Sequence, residues 1–205
     1  MPTRVPVFVV TTWLLAMLPG AGQALMLRQT IEGGRRRAWA SVAGTCTGLV
    51  VWTTAAAAGL SAVLLANPHA YAGVRIAGGV LLAGLGVSTL WSLRRPVAAS
   101  LVAAPTTGYG RAFAAGLATN LGNPKAGVFA ISLLPQFLTD EGPVFLSSVG
   151  LGVLWALVTG AWYLLFTWAV DRGRALVARP AMHWRLQVVT GCTLICIGAA
   201  VATGL

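Results

Sequence analysis

Charge is what this sequence has least of. Of its 205 residues 9% are charged and only four are acidic (Glu32, Asp140, Glu141, Asp171), whereas 57% are hydrophobic. An ordinary soluble domain carries about a quarter charged residues. A chain this apolar cannot cover itself with polar surface in water, which excludes a soluble globular domain and a disordered chain alike. Lysine occurs once, at Lys125, histidine twice, at His69 and His183, and cysteine three times, at Cys46, Cys192 and Cys196. The cysteines all fall in apolar segments and make neither a disulfide framework nor a zinc pattern. Cys192 and Cys196 share one helix face, where the ordinary role is that of small packing residues. Both histidines fall at the ends of apolar runs and no acid falls inside one. Hard or borderline cations therefore lack a ligand set, and a membrane enzyme lacks its acid–base pair. No metal and no cofactor is expected.

What the chain does have is apolar length. A spanning helix needs about 20 mostly apolar residues. Apolar runs fall at Val5–Leu27, Ala38–Ala66, Tyr71–Leu93, Ala112–Leu138, Pro143–Val170 and about Leu186–Leu205, so six spans are expected. Turn or charge signals separate them: EGGRRR, NPHAY, RRP, TDEGP and the segment from Asp171 to Arg185. The first run, with Arg4 before it and small residues after Leu18, also fits a cleaved leader. The run continues through Leu25–Leu27, however, and cleavage would strand Arg35–Arg37 on the outer side, so it is expected to remain as a span.

The formal net charge of +10 reports orientation and not a nucleic-acid partner. Loops after the first, third and fifth runs hold Arg28, Arg35, Arg36, Arg37, Arg94, Arg95, Arg111, Arg172, Arg174, Arg179 and Arg185. The other side has Arg4, Arg75 and the Asp140–Glu141 pair. The positive-inside rule puts the Arg-rich loops in the cytosol and both termini outside. Trp39, Trp91, Trp168 and Trp184 fall at the cytosolic ends, where a half-wet indole is favourable.

Six spans divide into three plus three. Three is odd, so the second half must lie inverted with respect to the first, the plan of many secondary transporters. The expected organisation is a first repeat at 1–93, a cytosolic linker at 94–111 and an inverted second repeat at 112–205. Each half opens on an interrupted helix. The first run contains LPGAG, with Pro19, Gly20 and Gly22; the fourth contains TNLGNPKAG, with Asn120, Gly122, Asn123 and Pro124. Proline removes an N–H and clashes with the preceding turn, so backbone groups are freed at mid-membrane and must line protein or a wet cavity. Asn123 is placed to cap the second half-helix with Pro124 at its first position. A helix start of this kind suits a carboxylate.

Lys125 lies beside that second interruption. It is residue 14 of the 27 in the run 112–138, and either end is about 20 Å away at 1.5 Å per residue, too far to snorkel. Burying it costs on the order of 3 kcal/mol, which makes it a functional residue by default. No acid within the runs can pair with it, which leaves solvent, an anionic ligand group, or carbonyls such as those freed at Asn120 and Leu121.

These residues carry a family resemblance. Tyr109–Leu138 reads YGRAFAAGLATNLGNPKAGVFAISLLPQFL, and the first half holds LPGAGQALMLRQTIEGGRRRAWASVAGTCTGL. The chain resembles, over essentially its whole length, the amino-acid exporter family of lysine exporters and homoserine/threonine efflux proteins (LysE/RhtB type). The family pattern is a basic residue, a G-x-x-T-N-x-x-N-P-K-A core and an L-P-Q-F end, preceded in the first half by a P-G-P-[DN] turn and G-G-R-R. Three positions depart from it. Ala21 replaces the second Pro of the turn and Gln23 the acidic or amide residue after it, while Trp52 stands where a His is common in the second span. The resemblance implies an all-α integral membrane protein of six transmembrane helices in a 3+3 inverted repeat, with helices 1 and 4 broken. It implies the bacterial inner membrane and efflux of small amino acids driven by the proton gradient. Pro19, Gly20, Gly22, Gln23, Asn120, Asn123, Pro124 and Lys125 match its central motifs and are the expected substrate-binding residues. The one interior cation and the absence of an interior anion favour small neutral amino acids, of homoserine, threonine or leucine type. Another small solute or a cationic amino acid remains as the alternative. A membrane thiol-redox conduit shares the plan but needs a reactive Cys near each break, and neither broken run has one. Apart from substrate and lipid, a second copy is a possible partner. Gly44-x-x-x-Gly48 offers a close-packing face, though such spacing more often serves contacts within a subunit.

Overall fold

The computed structural model describes residues 5–66, 108–138 and 143–173 continuously, and single helical positions between 73 and 91 and between 184 and 203. Among the described residues there is helix and no strand. The expected third and sixth spans, the first part of the linker and the Asp140–Glu141 turn lie outside the continuously described residues.

The first run forms two helices, α1 (Val5–Met17) and α2 (Ala21–Gly33), bent by 59° at the Leu18–Gly20 break. α2 outlasts the apolar run by six residues. Arg28 Nε and Glu32 Oε2 pair at 2.8 Å across one turn, which carries the helix through its polar end. Gly34, at φ 76°, then ends it in a conformation that only glycine adopts freely. α3 (Arg35–Ala66) starts at once and runs 32 residues. α4 (Tyr109–Leu121) stops at Gly122, and α5 (Pro124–Val128) resumes behind Asn123. α5 leads directly into a π turn over Phe129–Leu133 and a 3₁₀ turn over Leu134–Phe137. Pro135 has no N–H to give Ile131, so α-helical pairing cannot continue there. α6 (Val144–Arg172) is a single helix of 29 residues. α3 and α6 are each long and apolar enough to cross a membrane, and α1 with α2 makes a third such span if the bent pair is taken as one.

Side-chain contacts give the directions. Ser41 Oγ donates to the Ala112 carbonyl at 2.8 Å and Thr45 Oγ1 to the Gly116 carbonyl at 3.4 Å, so α3 and α4 run parallel. Cys46 Sγ meets the Ala156 carbonyl at 3.3 Å, and Gly152 lies against Thr53, so α6 runs antiparallel to α3. The start of α3, the start of α4 and the end of α6 therefore share one end of the bundle. Arg35 and Asp171 approach to 4.0 Å there, and Arg35 and Arg172 lie over the rings of Trp39 and Trp168. Of the arginines assigned to one side from charge alone, the described Arg35–Arg37, Arg111 and Arg172 thus share one end of the structure.

The α3–α4 seam is built on small residues. A Cβ on Gly44 would collide with the Phe113 carbonyl oxygen and one on Gly116 with the Ser41 carbonyl oxygen, while Gly48 lies under the Asn120 side chain. The Gly44–Gly48 face is therefore occupied by α4 of the same chain. Gly116→Val is expected to force the two backbones apart and cost on the order of 3 kcal/mol. A melting temperature of the detergent-solubilised variant equal to the wild type's would show that the seam has room to give. The main apolar core lies beside this seam and joins Phe8, Leu15 and Leu18 of the first run to Ala126, Phe129, Leu133, Trp155 and Ala156.

Candidate functional site

The two interruptions face each other. Phe8 packs edge-on against Phe137 at 5.0 Å, whereas the end of α1 meets Lys125, so the first run is antiparallel to the helix after the second break. Lys125 Nζ donates to the Leu15 carbonyl at 3.3 Å and to the Leu18 carbonyl at 3.5 Å. The Leu15 oxygen is the one that residue 19 would occupy in an unbroken helix, and Pro19 has no N–H to give it. The lysine is thus held by carbonyls from the opposite break and not by those freed at Asn120 and Leu121. It is half-buried, Gly20 and Pro124 beside it are exposed, and Gly20 leaves a Cβ's width over the ammonium, 3.8 Å away.

The rest of the α1 terminus is closed by Gln23. Its Nε2 donates to the Ala16 carbonyl at 3.3 Å and the Met17 carbonyl at 3.0 Å. All four carbonyls from Leu15 to Leu18 therefore have a side-chain donor, two of them from Lys125 and two from Gln23. Gln23 is buried, with its amide nitrogen turned back onto α1. Gly22 gives room to Tyr163 of α6, whose Oη stands 2.5 Å from where a Cβ would be.

The second break mirrors the first. Pro124 takes the amide from the Asn120 carbonyl, and that oxygen accepts from Trp52 Nε1 at 3.3 Å and from the Asn123 amide at 3.0 Å. The expected cap forms, with Asn123 Oδ1 accepting from the Lys125 amide at 3.1 Å and Pro124 at the first helical position. Asn120 is 6% exposed and its Oδ1, against Gly48, has no partner. Trp52 lies flat enough over Gly127 that a Cβ there would stand 2.9 Å from the indole. Thus Lys125 reaches the break made by Pro19 and lies beside Gly20, Gln23 closes the same break from the α2 side, Asn123 and Pro124 fix the helix that carries Lys125, and Asn120 and Gly22 sit at the flanks toward α3 and α6. Tyr163 and the role of Trp52 as a backbone donor escape the local pattern, because both arrive from other helices. Among the described residues no group of His, Cys, Asp and Glu could hold a metal ion.

Between the two breaks the arrangement offers a half-buried ammonium and the backbone carbonyls that hold it. Comparison with known proteins gives the family. The family model described as LysE type translocator matches residues 13–204. The chain is 28% identical over 196 residues to a homoserine/homoserine lactone efflux protein of Salmonella typhimurium, covering 96% of this chain and 94% of that one. It is 24% identical over 199 residues to an uncharacterized membrane protein of Bacillus subtilis, with 94% of each covered. It is 28% identical over 149 residues to the threonine efflux protein of Salmonella typhimurium, with 72% of each covered. No solved structure matches the chain.

Proposed function

We propose that this chain, which belongs to the LysE type translocator family, is a secondary exporter of small neutral amino acids in the bacterial inner membrane. The observation that carries the reading is the contact between the breaks: the single lysine, on the helix after Pro124, reaches the Leu15 and Leu18 carbonyls at the Pro19 break. Paired interruptions facing each other, with a cation between them, are what a substrate site at a repeat interface requires. The substrate carboxylate takes the Lys125 ammonium. The Leu15 and Leu18 carbonyls released by that exchange accept from the substrate ammonium, while Asn120, its Oδ1 turned onto Gly48, shapes the α3 side of the second break. Pro19, Gly20 and Gly22 keep the first break open, Gln23 holds its α1 side in shape, and Asn123 and Pro124 aim Lys125. The six-span 3+3 plan is supported by the antiparallel course of α3 against α6 and of the first run against the helix after the second break, as an inverted repeat demands. The boundaries 1–93, 94–111 and 112–205 remain the proposed division. Counterflow in liposomes against a panel of labelled amino acids tests the reading, with homoserine, threonine and leucine expected to exchange and a flat panel counting against it.

The orientation is N-out/C-out. In a cysteine-free background, Cys at position 36 is expected to resist an impermeant maleimide in whole cells and Cys at position 141 to react. The reverse pattern overturns the orientation and leaves the shared end of Arg35, Arg111 and Arg172 intact.

A further inference from the structure

We infer that Thr159 and Trp162 of α6 form a side-chain subsite that reads a hydroxyl on the transported molecule. The inference rests on the exporter reading above and names a determinant of specificity for the same site. Most buried helical threonine and serine hydroxyls among the described residues are spent on backbone. Thr12 donates to the Phe8 carbonyl at 2.8 Å, Thr30 to Met26 at 2.7 Å, Thr53 to Leu49 at 2.9 Å, Ser148 to Val144 at 2.7 Å and Thr167 to Leu164 at 3.0 Å. Thr159 departs from this rule among the described residues: it is 5% exposed and its Oγ1 has no partner. One turn further on, the Trp162 indole N–H is buried and equally without a partner.

Both groups lie on one stripe of α6, and the contacts of that stripe show where it points. Trp155, four residues before Thr159, packs on Phe129 with the rings tilted by 42° and their centroids 4.5 Å apart. Trp162, three residues after it, meets Trp13 edge-on at 5.9 Å. Thr159 therefore lies on the face of α6 turned to α1 and to the helical turns that follow Lys125, alongside the cluster of Leu15, Leu18, Ala126 and Phe129. A buried donor and a buried acceptor left open cost stability unless something fills them. A hydroxyl can do both at once, accepting from the Trp162 N–H and donating to Thr159 Oγ1, and a methyl group of the same size can do neither.

The test is counterflow in liposomes with two isosteric pairs, threonine against valine and homoserine against norvaline. The wild type is expected to prefer the hydroxyl member of each pair by about tenfold or more. Thr159→Val and Trp162→Phe, the latter keeping a ring on Trp13, are each expected to bring that ratio within about threefold of unity by a selective loss of the hydroxyl member of each pair. Thr159→Val should not lower the melting temperature, because the hydroxyl it removes bonds nothing in the fold. A wild-type ratio near unity overturns the subsite, as does a wild-type ratio retained in both variants or an equal loss for all four substrates accompanied by a fall in melting temperature. If the wild type moves none of the four, the exporter reading falls first and the subsite with it.

Discussion

Lys125→Met is expected to lower amino-acid counterflow by about 100-fold while folded protein still accumulates. The methionine keeps length and apolar stem and, among the described residues, removes the one cation at the breaks. A hydrogen bond to a charged group is worth about 1.5–3 kcal/mol, and a buried carboxylate left unpaired costs at least that much, which together give about two decades in binding. The structure adds a second readout. The Leu15 and Leu18 carbonyls lose their donor, Leu18 entirely and Leu15 down to a 3.3 Å contact with the Leu18 amide, so the melting temperature should also fall. Lys125→Arg is expected to restore much of the melting temperature and little of the transport, because a planar fork can reach carbonyls but does not fit a site shaped for a compact ammonium. Full export by the Met variant would reduce Lys125 to a clamp between the two breaks.

The second large effect concerns substrate charge. The buried polar side chains among the described residues are Thr, Ser, Gln and Asn, with no acid. A cationic amino acid at the break would face Lys125 with nothing to neutralise its side chain. At about 6 Å and an effective dielectric near 20, two like charges repel by roughly 3 kcal/mol, or about a hundredfold in binding. Excess lysine or arginine should therefore leave efflux of labelled threonine or leucine nearly unchanged, whereas unlabelled homoserine should compete. Lysine as the strongest competitor would remove both the neutral-substrate reading and the charged ammonium at position 125.

The elements were largely legible in the chain because apolar length and proline chemistry are local. The second, fourth and fifth runs match α3, the α4-to-Phe137 stretch and α6 to within three residues at each described end. The breaks fall at Pro19 and at Asn123–Pro124, and the Asn123 cap follows from its own two neighbours. What sequence could not supply is which carbonyl a donor reaches across the bundle. Lys125 looks, in one dimension, like the partner of Asn120 and Leu121, yet Trp52 takes the Asn120 oxygen from α3 and leaves the ammonium to α1. Gln23 reads as a polar group facing a site, and its amide instead folds back seven residues to close its own half-helix. Thr159 reads as one more helical threonine, since the failure to bond its own turn exists only in three dimensions.

The seam of Gly44 and Gly116 brings the backbones of α3 and α4 into close contact, and it lies well off the middle of α3. Were the halves to rock about that pivot, the two lever arms would be unequal. From Gly44 the arm to Arg35 is about 14 Å and the arm to Ala66 about 33 Å, so a tilt of about 10° displaces the first end by about 2 Å and the second by about 6 Å. One mouth of the pathway would then open with a small, stiff movement beside the arginines, and the other with a wide swing. At the seam itself the same rotation is resisted by the bonds from Ser41 to the Ala112 carbonyl and from Thr45 to the Gly116 carbonyl, which hold the pivot in place.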